Sequence, residues 1–238
     1  MKLAAFRLEG RESWGAVQGA SIVEAPAGLR AQAPDIATAL ALAPALLAES
    51  FKAPLPPIAL SAVQWLPPIA RPGRILCVGL NYRDHVEEVG REMPRYPTVF
   101  LRASGTLVGH GAQIVRPTLS EQLDFEGELA LVIGRGGYRL REAEALAAVG
   151  GYTCFNDVSV RDFQKHSVTA GKNFPTYLSS LAPLRAGDII ATGTPAGVGS
   201  GRKPPLWMQP GDEIEVEISG IGTLANAVVA EASMALVQ

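Results

Sequence analysis

Hydrophobic and polar positions alternate most sharply in Asp124-Phe125-Glu126-Gly127-Glu128-Leu129-Ala130-Leu131-Val132-Ile133, where carboxylates at every second residue give way to a continuous apolar run. A period of two predicts a strand, with Glu126 and Glu128 on one face and Phe125, Leu129 and Leu131 turned the other way into a core. Upstream, the pattern predicts strands at Leu3 to Leu8 and Trp14 to Val17 around a turn at Gly10, then an Ala/Leu-rich helix from Ile36 to Ser50. Proline-rich stretches at 54–57 and 67–72 cannot extend a helix, so a linker is expected near residues 66–72. It divides a small α+β unit, residues 1–68, from a larger unit, residues 69–238.

The larger unit opens with a buried strand, Arg74 to Leu80. A short helix, Tyr82 to Val89, follows; Asn81 is its expected N-cap, Asp84 sits at the capping-box position, and Gly90 ends it. Further strands are expected at Thr98 to Arg102, Tyr152 to Asp162 and Gly211 to Ile218, with a helix from Leu140 to Ala148; Leu184 to Gly199 reads as a strand followed by a glycine-dense loop. The fold class read from this pattern is mainly β with some α.

Composition narrows the functional classes. The chain has 238 residues, 47% hydrophobic and 18% charged, enough for a sizeable core. Its net charge of −2 is spread without a Lys/Arg block, so neither nucleic acid nor an anionic membrane is an expected partner. The longest apolar stretch, Ile36 to Ala48, is shorter than a membrane span and is interrupted by Pro44; Lys2, Arg7 and Glu9 stand where a signal peptide needs apolar residues. A cytoplasmic address is expected, with Cys77 and Cys154 as buried thiols.

The candidate chemistry lies in four places. Two like charges side by side on Glu126 and Glu128 repel, and a hard cation such as Mg²⁺, Mn²⁺ or Ca²⁺ relieves that repulsion; alone, the pair is also what a solvated edge strand carries. Asp157, on the face of its strand opposite Asn156, could complete a three-carboxylate site open to water and substrate. His85 and Glu88, three apart on the short helix, could form a base held by a carboxylate, or an ordinary surface contact. Lys172, in Gly171-Lys172-Asn173-Phe174, lacks the spacing of a phosphate loop and is a candidate proton carrier beside a cation, or a solvated surface lysine.

Taken in order, Val78-Gly79-Leu80-Asn81-Tyr82-Arg83-Asp84-His85, Asp124 to Glu128, Asn156 to Asp162, Gly171 to Phe174 and Thr192 to Gly199 resemble the fumarylacetoacetate hydrolase family over about residues 70–230. The branch resembled is that of acylpyruvases and 2-hydroxyhepta-2,4-diene-1,7-dioate isomerases. The resemblance implies a mixed β-roll catalytic domain, a homodimer, Mg²⁺ or a similar cation, and 2-oxo acid substrates. It matches Glu126, Glu128 and Asp157 to metal ligands, Lys172 to an active-site lysine, and His85 with Glu88 to a dyad on a lid helix. Thr194 and Gly193 fall in the loop that borders substrate. Arg102, a further substrate-side residue, stands where many members have Lys. Only Pro175 to Pro183 separates Gly-Lys-Asn-Phe from the next strand, where members carry several tens of residues. A segment is therefore expected to be absent near 175–177, marked by a break in the trace between Phe174 and Tyr177.

The leading functional reading is hydrolysis of a carbon–carbon bond in an acylpyruvate-like 2,4-dioxo acid. Decarboxylation, isomerisation or hydration of a 2-oxo diacid, such as oxaloacetate or a homoprotocatechuate-pathway intermediate, is the alternative. A non-catalytic Ca²⁺-binding β-domain is a third.

Overall fold

The computed structural model describes residues 1–42, 44–164 and 185–231. The chain begins with β1 (Lys2–Leu8), β2 (Arg11–Gln18), β3 (Ser21–Glu24), β4 (Pro57–Ala59) and β5 (Gln64–Trp65), paired in the order β4-β3-β2-β1-β5. The β1–β2 hairpin closes through Glu9 and Gly10, at φ 49° and 81°, the two left-handed residues that let a two-residue turn follow the twist of the strands. Over this sheet lie α1 (Ala27–Gln32), α2 (Ile36–Leu40) and α3 (Pro44–Ser50).

The single helix expected from Ile36 to Ser50 is thus two. Asp35 starts the first by accepting a hydrogen bond from Thr38 N at 2.7 Å, and Pro44 opens the second, the position where a missing N–H is harmless. Trp14 is the anchor between sheet and helices. It is 1% exposed, its Nε1 donates to Ala33 O at 2.9 Å, and its ring meets Phe51 edge-on at 6.1 Å.

Further along come β6 (Ile75–Gly79), α4 (Arg83–Glu88), β7 (Thr98–Arg102), β8 (Ile114–Arg116), β9 (Leu123–Asp124) and β10 (Gly127–Ile133). After them lie α5 (Glu142–Ala145), β11 (Val149–Asn156), β12 (Ser159–Val160), β13 (Ile189–Ala191), β14 (Glu213–Ile218) and β15 (Gly222–Ala230). The central sheet has the order β11-β10-β13-β6-β7 and is antiparallel except for β13–β6. A second sheet, β14-β15-β8, and the small β9–β12 ladder complete a set of curled sheets. One apolar cluster runs from Trp14, Val23 and Ile36 to Ile75, Ala130, Val132 and Ile189, so the helices of the first 50 residues and the central sheet share a core.

Two strands differ from their sequence patterns, and both differences shape the site. The run Asp124 to Ile133 leaves the ladder at Phe125 and Glu126: Leu123–Asp124 pairs with β12, and only Gly127–Ile133 joins the central sheet. Its deeper face is the one carrying Glu128, Ala130 and Val132, whereas Leu129 and Leu131 are half-buried. The sheet is covered on both sides, so alternation alone could not tell which face lies deeper. Tyr152 to Asp162 likewise breaks at Asp157 and Val158. The helix expected from Leu140 to Ala148 is α5 and a following 3₁₀ turn, Leu146–Ala148.

Replacing Trp14 with Ala should lower the free energy of unfolding by about 3–5 kcal/mol, the cost of an unfilled aromatic cavity, read from the urea midpoint at unchanged slope.

Candidate functional site

The two strand breaks face each other. Asp157 N donates to Glu126 O at 2.8 Å and Glu126 N donates to Asn156 Oδ1 at 3.1 Å, which turns both carboxylates toward Glu128 on β10. One oxygen from each of Glu126, Glu128 and Asp157 lies within 4.8 Å of the others, and all three residues are buried. Burial, then the neighbouring charge of Asp157, pushes the Glu128 carboxyl up to about 8, against the hydrogen bond it accepts from Gly193 N at 3.0 Å. Burial likewise pushes Asp157 up to about 6, although the Arg102 guanidinium works the other way. Asp157 Oδ1 is met by the Arg102 guanidinium, whereas Oδ2 accepts no hydrogen bond among the described residues. A buried all-oxygen cluster with an unpartnered acceptor fits a hard divalent cation.

Two arginines border the cluster. Arg102, at the end of β7, lies with Nε against Asp157 Oδ1, while its Nη2 donates to Val158 O at 2.8 Å and Ser159 Oγ at 3.0 Å. Arg161 donates from Nε to Asp124 Oδ2 at 2.6 Å and from Nη2 to Glu126 Oε1. Neither Asp124 nor Arg161 was singled out by sequence. Both lie inside the motifs quoted for the family, but a salt bridge across 37 positions leaves no local pattern.

The loop after β13 connects the cluster to α4. Gly193, at φ 94°, holds Glu128, and a Cβ there would lie 2.5 Å from Val78 O; this position demands glycine. Thr194 Oγ1 donates to Gly127 O at 3.2 Å, and Gly197 N reaches both carboxylate oxygens of Glu88 at 3.1 Å. On α4, His85 is buried, with Nδ1 3.4 Å from Glu88 Oε2, so the two residues face one another as their spacing predicts. Asn81 does not cap this helix. Its side chain donates to Thr192 O at 2.8 Å, because the chain enters through Leu80 at φ 57° and Tyr82 becomes the residue before the helix.

A cleft of about 950 Å³ reaches Arg102, Asn156 and Asp157 along β11, and one of about 390 Å³ between β10 and β14 is lined by Glu128, Thr194 and Tyr82. Lys172 and the break expected between Phe174 and Tyr177 lie outside the described residues. Among the described residues no helix is long and apolar enough to cross a membrane. Cys77 is buried and Cys154 is half-buried, both as free thiols.

The family described as fumarylacetoacetate (FAA) hydrolase C-terminal matches residues 74–179 and 175–229, and the chain belongs to it. Among relatives, the mitochondrial oxaloacetate tautomerase Fahd2a of Rattus norvegicus is 33% identical over 243 residues, 81% of this chain and 76% of the relative. That alignment is longer than the part of the chain it takes in, so several tens of its positions have no residue here. The oxaloacetate tautomerase YisK of Bacillus subtilis is 37% identical over 224 residues, 71% of this chain and 74% of the relative. The solved fumarylacetoacetate hydrolase of Exiguobacterium antarcticum superposes with a TM-score of 0.76 at 30% identity, covering 97% of this chain and 100% of that one. The mostly β architecture with curled sheets is that of this family.

A pH dependence follows from the raised carboxyls. Between the unfolded values of 4.5 and 3.8 and the folded values of about 8 and about 6, the folded metal-free protein holds more protons than the unfolded chain. This site's contribution to stability is therefore greatest at low pH and is lost as pH rises toward 8. A divalent cation replaces those protons, so Mn²⁺ should raise the Tm of chelator-treated protein more at pH 8 than at pH 6 by differential scanning fluorimetry. Glu128→Gln should diminish both effects.

Proposed function

We propose that this chain is a divalent-metal-dependent enzyme that interconverts the keto and enol forms of a 2-oxo diacid of the oxaloacetate class. The observation that carries the reading is the buried Glu126–Glu128–Asp157 cluster, in which Asp157 Oδ2 has no hydrogen-bond partner among the described residues; the two relatives named as oxaloacetate tautomerases support the choice of reaction. Glu126, Glu128 and Asp157 would hold the cation, most simply Mg²⁺ or Mn²⁺. A cation held there supplies Lewis-acid stabilisation of negative charge on the oxygens of a 2-oxo acid.

The rest is the work of side chains. Keto–enol exchange moves one proton between the carbon next to the 2-oxo group and that group's oxygen. With His85 Nδ1 directed at Glu88, the ring's Nε2 is the nitrogen free to take up and return that proton. Burial of His85 keeps it in one orientation, and the Glu88 carboxylate, itself held by Gly197 N, faces its Nδ1. Arg102 keeps Asp157 from turning away.

The same dyad supports a second reading, hydrolysis of an acylpyruvate, because an imidazole held by a carboxylate also activates water. Both readings are tested in one panel. Enolic oxaloacetate and several acylpyruvates are supplied with Mn²⁺, with chelator, and with the Glu126→Ala variant. Metal-dependent loss of the enol absorbance without pyruvate release supports the tautomerase; pyruvate with a matching carboxylic acid moves the assignment to the hydrolase, and carbon dioxide moves it to a decarboxylase. Inactivity on the whole panel with Mn²⁺ bound overturns both.

His85→Asn should lower kcat by about 10²–10⁴-fold, the usual loss when a positioned acid–base group is removed, and leave Mn²⁺ binding intact by calorimetry. Equal loss of binding and turnover would count against this role.

A further inference from the structure

Asp124 lies two residues before the first ligand, is fully buried, and collects four donors. Oδ1 accepts from Phe125 N at 2.9 Å and Gly199 N at 2.8 Å; Oδ2 accepts from Ser200 N at 3.1 Å and Arg161 Nε at 2.6 Å. The other side of the Arg161 guanidinium rests on the ligand Glu126, and Nη1 donates to Gln164 Oε1 at 2.9 Å. Arg161 is 7% exposed. A buried guanidinium touching a metal ligand is a competitor for the cation, since both seek the same carboxylate. Here its charge is divided with a second carboxylate.

The turn bound to Asp124 reaches the dyad. Residues Gly197 to Gly201 are gripped on one side by Asp124, through Gly199 and Ser200, and on the other by Glu88, through Gly197. The packing leaves no slack: a Cβ on Gly199 would lie 2.6 Å from Asp124 Oδ1, and one on Gly201 would lie 2.5 Å from Glu88 Cδ.

We propose that Asp124 and Arg161 are positioning residues. Asp124 draws the charge of Arg161 away from Glu126, leaving that carboxylate available to a divalent cation, and the same aspartate registers the turn that holds Glu88 beside His85. The proposal rests on reading Glu126, Glu128 and Asp157 as a cation site.

The test is Mn²⁺ calorimetry on chelator-treated protein at pH 8, with each variant checked for its fold by near-ultraviolet circular dichroism. Asp124→Asn preserves shape but not charge, so Arg161 falls wholly on Glu126; Mn²⁺ affinity should drop about 10–100-fold, the usual effect of losing an outer-shell partner. Arg161→Met removes the competitor and should bind Mn²⁺ at least as tightly as the parent. The double variant should recover most of what Asp124→Asn loses. A merely structural pair would weaken binding in both single variants, and that result overturns the proposal, as does unchanged affinity in Asp124→Asn. If Asp124→Asn does not fold, weaker binding by Arg161→Met is sufficient to overturn it. A parent protein that binds no Mn²⁺ overturns the cation site itself, whereas a parent that binds alongside an indifferent Asp124→Asn overturns only the role of the pair.

Discussion

Three carboxylates share one buried corner of the central sheet, and the electrostatic cost of holding them there shapes everything nearby. At a separation of 4.8 Å, two ionised carboxylates repel by about 3 kcal/mol at an effective permittivity of about 20, before any desolvation is counted. The protein meets this cost with proton uptake on Glu128 and Asp157, with Arg102 and Arg161 at the margins, and with the Gly193 N–H. Each device stabilises negative charge only in part. A divalent cation would suit the charge of the whole cluster, and under the proposed function that demand ties the fold to its chemistry.

The backbone bears the same stamp. A continuous β10 would have kept Glu126 in the ladder, and a continuous β11 would have carried Asp157 past the site. The strands break at Glu126 and Asp157, and the breaks are bonded to each other through Asp157 N and Glu126 O. Regular pairing is given up where side chains converge, and local contacts take its place: Phe125 N donates to Asp124 Oδ1, Glu126 N to Asn156 Oδ1, and Val158 O accepts from Arg102 Nη2.

The glycine-dense loop is the second element bound to this corner. It supplies a donor to Glu128, two donors to Asp124 and one to Glu88, contacts that only backbone N–H groups in a tight turn can make together. The carboxylate cluster and, through Glu88, the imidazole of His85 are thereby fastened to one segment. The proposed chemistry at a cation and proton transfer at a ring nitrogen would share that common frame, and a small displacement between them would cost rate steeply.

Much of the site was legible in the sequence because its chemistry is local. His85 and Glu88 face each other through the period of a helix, as their spacing predicts; Glu126 and Glu128 also meet, but through the break that takes Glu126 out of the strand and not through the strand's period. Hydrophobic alternation likewise located β1, β2, β6, β7, β14 and the greater part of β10 and β11, whereas β3, β8 and β15 were not read from it. It could not determine which face of β10 lies deeper, since both faces are covered, nor that Asn81 would bind Thr192 in place of capping α4. Those outcomes depend on which strands become neighbours. The partners that set the charge on the cluster, Arg161 with Asp124 across 37 positions and Gly193 with Glu128 across 65, meet only once the strands are ordered in space, and no local periodicity records such an encounter.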